Sequence, residues 1–306
     1  MLGDAVISDW CASAFGERMA RVMFRTGHLA QVVGTELADG RQVVIKVRPF
    51  ERRVAGCVAV QAHLAKSGFP CPAPLAGPEE IRGFAVTGEA LTPEGSQRSP
   101  GRGAEAFAEL LARLVALAPD PASVPALTPS PPWNAWDHPG SRLWPDRDDY
   151  GRDINALPCP GWVDRAVAQV RQHLRACADP PRIGHGDWES QNIRWSGDTP
   201  LAVHDWDSVI AQPEVAIAGL ASAVWPAAGG PGEAATVEQS ADFLAKYQAC
   251  AGRRWSARKI RDAWAAGLWV RLFNAKKDAA SGGGPQLDRL ADEIGERMAR
   301  AGLPER

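Results

Sequence analysis

The residues best suited to chemistry lie in two short stretches, His185-Gly186-Asp187-Trp188-Glu189-Ser190-Gln191-Asn192 and Val203-His204-Asp205-Trp206-Asp207. Asp187 falls in a loop ahead of a strand pattern, where a carboxylate can take a proton from a substrate hydroxyl. Asn192 opens that strand and offers an amide oxygen, a neutral hard ligand. Asp205 closes the next strand, beyond the turn Ser196-Gly197-Asp198. A two-stranded hairpin sets Asn192 and Asp205 side by side, a grip suited to Mg²⁺ with its preference for oxygen ligands and phosphate. Phosphoryl transfer is mostly positioning and charge neutralisation, so a set this small is enough for it. A metal-dependent hydrolase is a competing reading, with His185, Asp187, His204, Asp205 and Asp207 as ligands, but it gives Asn192 and an upstream lysine no task. The plainest alternative is ordinary loop and turn residues, since Asp and Asn are common there.

Several elements must position these groups. Gln31–Leu37 and Gln42–Val47 are β-rich and flank Ala38-Asp39-Gly40-Arg41, a hairpin turn. Lys46 is the one charge among Val43, Val44, Ile45 and Val47, so it is either an edge-strand lysine or one with a task. Periodicity predicts a helix over Glu51–Lys66, with Val54, Cys57, Val58, Gln61, Leu64 and Ala65 on one face and a stop at Ser67-Gly68. Pro70, Pro72 and Pro74 predict an extended connector, Gly83–Thr87 a short buried strand, and residues 92–103 (TPEGSQRSPGRG) a linker or mobile loop. Helices are expected over Ala104–Leu117, Trp162–Ala178, Val215–Val224, Thr236–Ala251, Ser256–Lys276 and Gln286–Ala301. Short strands near Asn192–Trp195 and Leu201–His204 form the one hairpin in this helical body.

The HGDxxxxN and DWD motifs, with the strand lysine of VVIKV upstream and GFPCPAPL after the first helix, resemble the aminoglycoside phosphotransferase and choline kinase-like family of the protein-kinase-like superfamily. The resemblance spans most of the chain. It implies a bilobal α+β fold: an N-terminal nucleotide-binding lobe over 1–88, with a small antiparallel sheet and one helix, and a mainly helical catalytic and substrate-binding lobe over 89–306. It implies an ATP-dependent phosphotransferase that moves the γ-phosphoryl group to a hydroxyl of an antibiotic or metabolite. Carried over by position, Asp187 is the catalytic base, Asn192 and Asp205 hold Mg²⁺, and Lys46 holds the ATP phosphates. The backbone around Glu89 and Leu91 receives adenine, and Gly27 belongs to a loop covering the nucleotide. His185 is grouped with the nucleotide site as the brace of the catalytic loop rather than a contact to substrate. One departure matters. Relatives place a Glu in the helix after the lysine strand, and the aligned position here is Cys57, with Glu51 or Gln61 as possible substitutes. That departure keeps open a nucleotide-binding protein with little catalysis.

Composition narrows the partners. The 306 residues carry a net charge of −2, which supplies no overall basic field for a nucleic-acid backbone. Hydrophobic residues at 45% and charged residues at 23% are ordinary globular values. No stretch reaches the apolar length of a membrane span, and Glu17 and Arg18 end the apolar part of the N-terminus early. Six cysteines (Cys11, Cys57, Cys71, Cys159, Cys177 and Cys250) show no CxxC spacing, so free thiols in a reducing, cytoplasmic setting are expected. The 12 tryptophans against 2 tyrosines are uneven. Trp133, Trp136 and Trp144 fall in a Pro-rich stretch with Asp146, Asp148, Asp149 and Asp153. They read either as a substrate wall for a cationic acceptor, or as anchors of a solvated loop that Arg142, Arg147 and Arg152 neutralise. Trp188 and Trp206 read as packing, His204 as structural, and Asp207 as support for the metal or a cap. Acids near the catalytic loop, Glu189 among them, suit a cationic or amine-bearing acceptor without singling it out.

Overall fold

Helix α1 (Asp4–Phe15) leads into strands β1 (Met19–Thr26), β2 (Gln31–Leu37) and β3 (Gln42–Pro49), helix α2 (Arg53–Lys66), and strands β4 (Pro74–Ile81) and β5 (Phe84–Ala90). This computed structural model describes residues 1–27, 29–92, 94–97, 101–230 and 233–304. The five strands pair antiparallel in the spatial order β1-β2-β3-β5-β4. Alternation along the strands gives the sheet two faces. Val33, Val43, Ile45, Val47 and Val86 form a core with Ile7, Trp10 and Cys11 of α1. The opposite face carries Gly34, Val44 and Glu89 in one row and Lys46 and Thr87 in the next, set by the registers Gly34↔Val44, Val44↔Glu89 and Lys46↔Thr87. The Asp39-Gly40 turn forms where the sequence places it, with Gly40 at φ +86°.

Two features of this lobe differ from expectation. The proline-rich connector becomes strand β4 from Pro74 onward, and it sits at the sheet edge, where a missing N–H leaves no ladder bond unmade. Helix α1 and strand β1 carry no strong periodic signal, yet α1 supplies the lid that the β2-β3-β5 core needs.

The C-terminal body contains α3 (Ala104–Leu117), α4 (Gly161–Arg175), β6 (Pro181–His185), β7 (Ile193–Ser196), β8 (Thr199–Val203), β9 (Val209–Pro213), α5 (Glu214–Val224), α6 (Val237–Cys250), α7 (Ala257–Ala280) and α8 (Pro285–Arg300). Helix α7 is its spine and packs against α4, α5 and α8. Its close crossing with α5 needs Gly219, where a Cβ would stand 2.0 Å from the Ala263 carbonyl oxygen. The expected hairpin is β7-β8; β6 and β9, far apart in sequence and not a hairpin, form a second two-stranded sheet. Of the 92–103 segment, residues 93 and 98–100 lie outside the described residues. Its Ser96 exchanges backbone hydrogen bonds with Trp195 of β7, at 2.9 Å in both directions.

The tryptophan-bearing stretch follows the anchored-loop alternative. Trp136 and Trp144 are buried and meet Trp269 of α7 at ring-centroid distances of 6.2 and 5.5 Å. Trp133 donates its indole N–H to the Gly186 carbonyl at 3.1 Å. The nearby acids are largely taken: Asp148 by Arg152 at 2.7 Å, Asp149 by Lys277 at 2.5 Å and Asp153 by Arg142 at 2.7 Å. All six cysteines are free thiols, and no helix of the described residues is long and apolar enough to cross a membrane.

Candidate active site

Strand β6 ends at His185 and delivers the chain into the loop that holds Asp187. His185 is fully buried between the edges of Trp188 and Trp206, at centroid distances of 5.7 and 5.8 Å. Its Nε2 pairs with the His204 carbonyl at 3.0 Å, and its Nδ1 accepts the Asp187 backbone N–H at 3.2 Å. The imidazole therefore joins the two motif loops from behind. Across the β7-β8 ladder, His204 N–H donates to the Asn192 carbonyl at 2.8 Å, which brings the start of one strand beside the end of the other. Asn192 Nδ2 donates to the Asp187 carbonyl at 3.0 Å and its Oδ2 at 2.8 Å. That leaves the amide oxygen of Asn192 for a cation.

Asp205 occupies the left-handed region at φ +60° and ψ +50°, which costs a non-glycine residue on the order of 1 kcal/mol or more. The turn after it compensates. Ser208 donates its hydroxyl to Asp205 Oδ2 at 2.6 Å and its N–H to the Asp205 carbonyl at 3.0 Å. Asn192 and Asp205 thus offer two protein oxygen donors. This is too few for an all-protein cage, and it fits Mg²⁺, which keeps water and phosphate as its remaining ligands. The hydrolase alternative does not gather. Among the described residues no group of three or more His, Cys, Asp and Glu could hold a metal ion. Asp207 is instead paired with Arg48 of β3.

Lys46 finds its carboxylate in an unforeseen place. Its Nζ lies 2.9 Å from Glu89 Oε1, a side chain on the neighbouring strand β5 and the same sheet face. Glu89 Oε2 accepts Gln61 Nε2 of α2 at 3.0 Å. Helix α2 therefore reaches the lysine through Gln61 and Glu89 rather than through Cys57, whose thiol faces the Asp207 carbonyl at 3.9 Å. Burial opposes the ammonium charge, but the Glu89 and Asp207 carboxylates outweigh it and hold Lys46 above its ordinary value. Leu91 follows β5 directly and is half-buried, while the Ala90 N–H is spent on the Ala73 carbonyl at 2.9 Å. Gly27 sits at φ +113° in the β1-β2 connection, where a Cβ would lie 1.9 Å from the Ala30 carbonyl oxygen; residue 28 of that loop lies outside the described residues.

The loop that holds Asp187 is electrostatically tense. Burial first, and then the Asp205 charge, push Asp187 up to about 7, while the Asn192 amide opposes them. Burial, and then Asp187, raise Glu189 well above the carboxylate range. Burial pushes both neighbouring imidazoles the other way, with His204 lowered to about 4 and His185 also lowered, so neither is a cation at neutral pH. Glu189 and Gln191 open onto a cleft of about 630 Å³ whose other walls include Tyr150, Arg152, Glu233, Asn274, Lys277, Asp278 and Gln286. The structure brings together the motif residues that the sequence singles out. No sequence signal marks Arg48, Arg53 or the α7-α8 wall, whose roles depend on partners over a hundred residues away.

The profile of the phosphotransferase enzyme family (APH) matches residues 24–255. Among curated proteins none matches this chain. Solved structures resemble it closely in fold at low identity. Amicoumacin kinase hAmiN, in complex with AMP-PNP, Ca²⁺ and Ami, gives a TM-score of 0.68 at 11% identity over 99% of this chain and 96% of that one. A thermostable mutant of aminoglycoside phosphotransferase APH(4)-Ia, with ADP and hygromycin B, gives 0.60 at 18% over 98% and 99%. A choline/ethanolamine kinase family protein from Mesorhizobium loti gives 0.51 at 16% over 92% and 85%. The protein-kinase-like α+β fold is thus shared across these kinases. With the family profile covering most of both lobes and both motif loops, the chain belongs to the phosphotransferase enzyme family and is an ATP-dependent phosphotransferase with an alcohol group as acceptor.

Proposed function

We propose that this protein is a small-molecule kinase, with Asp187 as the base, that transfers the γ-phosphoryl group of ATP to a hydroxyl of an antibiotic or metabolite. The observation that carries the reading is the Asp187–Asn192 bond at 2.8 Å, beside the Asp205 turn, with Glu189 and Gln191 of the same loop lining the 630 Å³ cleft. Asp187 orients the acceptor hydroxyl and takes its proton as the phosphoryl group is transferred. Asn192 and Asp205 are the groups that would hold Mg²⁺, which supplies charge neutralisation at the phosphates when bound. Lys46, fixed by Glu89, neutralises phosphate charge from the sheet side. The chain around Glu89 and Leu91 receives adenine, and His185 keeps the two loops in register from behind.

The cleft also favours an amine-bearing acceptor. Its basic groups Lys277 and Arg152 are already paired with Asp149 and Asp148. Glu189, by contrast, forms no ion pair among the described residues and has the Gln191 amide as its side-chain partner. An acceptor ammonium beside it would favour the ionised form, which burial and the Asp187 charge oppose in the free protein. ADP release across a library of hydroxylated metabolites and antibiotics tests the reading, with Asp187→Asn as the blank. Turnover above that blank is expected for amine-bearing alcohols. Tight ATP·Mg²⁺ binding with no ADP release on any acceptor would leave only nucleotide binding.

A further inference from the structure

The turn that follows Asp205 is gripped from the other lobe. Arg53, in the first turn of α2, is buried and donates both terminal nitrogens to the carbonyls of Asp207 and Val209, with Nε 3.4 Å from the Leu127 carbonyl. The carbonyl between those two, that of Ser208, accepts the Gly186 N–H of the catalytic loop at 2.7 Å. Arg48 of β3 pairs with the Asp207 carboxylate and donates to Thr87 Oγ1 at 3.1 Å. Three successive carbonyls, 207 to 209, are therefore all occupied, two of them by one planar fork that a lysine cannot reproduce. Ser208 is at the same time the residue that holds Asp205 in its left-handed conformation.

We propose that Arg53, supported by Arg48, is a positioning residue for the metal grip. Its fork fixes the 207–209 backbone, that backbone fixes Ser208, and Ser208 fixes the direction of the Asp205 carboxylate. The inference rests on the reading of Asp205 as an Mg²⁺ ligand. It adds a task for the helix that in this chain lacks an acid facing the lysine: α2 governs the metal side of the cleft through Arg53 and meets the lysine side only through Gln61. Groups that support a ligand without touching the metal typically alter metal affinity 10–100-fold when removed.

Binding of Mn²⁺ in the presence of AMP-PNP, followed by the electron paramagnetic resonance of free Mn²⁺, tests this without turnover. Arg53→Lys keeps the charge and loses the fork. It is expected to weaken Mn²⁺ binding at least 10-fold and to raise the apparent KM for Mg²⁺ in parallel, with metal-free ADP affinity and acceptor KM within about 2-fold of the parent. Arg48→Gln, which frees the Asp207 carboxylate but leaves the fork, should shift the same quantities less, and it serves if the first variant fails to fold. A variant that melts earlier yet titrates Mn²⁺ like the parent would reduce Arg53 to a packing role and overturn the proposal. Asp205→Asn separates the two levels. If it abolishes the Mn²⁺ response while Arg53→Lys does not change it, only the positioning proposal fails. If Asp205→Asn binds Mn²⁺ normally, the ligand reading itself fails.

Discussion

Replacing Glu89 probes the most consequential contact in the N-terminal lobe. At a separation of 2.9 Å and an effective dielectric near 20, the attraction between Lys46 and Glu89 is about 6 kcal/mol. Desolvation of both ions offsets much of that, but it does so only while both are present. Glu89→Ala leaves Lys46 buried with Asp207 as its remaining acid, and breaking such a pair costs about 3 kcal/mol or somewhat more. At roughly 2–4 °C per kcal/mol for a chain of this size class, the melting temperature should fall by about 6–12 °C. Glu89→Gln keeps the volume and a partner for Gln61, so it isolates the charge. Lys46→Met, Glu89→Gln and the double variant then form a cycle, measured by melting and by ATP binding. A coupling energy of at least about 1.5 kcal/mol is expected, and a value within about 0.5 kcal/mol of zero would refute the argument that Glu89 is the acid that fixes this lysine. Cys57→Glu is the matching control. A carboxylate there would be buried beside the Asp207 carbonyl rather than beside Lys46, so it should destabilise the protein and leave ATP affinity no better.

Asp187→Asn should have opposite effects on rate and stability. Asp187 is raised to about 7 in the folded protein, against about 3.9 in an unfolded chain, so the folded state binds more protons between those values. Its ionisation therefore weakens the metal-free fold progressively as pH rises from about 4 to about 7. The Asn variant should melt higher than the parent at pH 8, converge with it near pH 4, and lose about 10²–10⁴-fold in kcat; equal melting at both pH values would refute the stored repulsion. Trp144→Ala removes a fully buried indole that donates to Asp164 at 2.8 Å and should cost about 3–5 kcal/mol by melting. A raised acceptor KM without that loss would restore the substrate-wall alternative for this residue.

What the sequence made legible was what neighbouring residues decide. The Asp39-Gly40 turn sets the β2-β3 hairpin, and helix α3 runs over the same Ala104–Leu117 that its apolar periodicity marks. The stretches from His185 to Asn192 and from Val203 to Asp207 come together as their spacing predicts because hairpin geometry is local. Three things stayed hidden for a common reason. Strand β4 contradicts the propensity of its prolines and forms only because an edge position tolerates them. The β6-β9 pair joins segments whose registered partners include His185↔Val209 and Pro181↔Pro213, with no turn between them to announce the pairing. Arg48 and Arg53 carry no signal in one dimension, and Glu89 is read there only for its backbone; their side chains are buried only once Asp207, Val209 and Lys46 arrive from elsewhere in the chain. The aligned helix position at Cys57 misled because the lysine's acid comes from a neighbouring strand.

The stretch between α3 and α4 separates fastening from contact. Trp133, Trp136 and Trp144 point inward and fasten it, whereas Tyr150 and Arg152 stand at the rim of the cleft. Asp146, Arg147 and Gly151 between them are exposed. Sequence drift at the rim therefore leaves the indole pins and the Gly186 carbonyl untouched. On the proposed reading of the cleft, the exposed positions Asp146, Arg147 and Tyr150 can vary at little cost to folding, whereas Arg152 is tied to the buried Asp148, so a library aimed at the acceptor would vary the former and keep the latter pair.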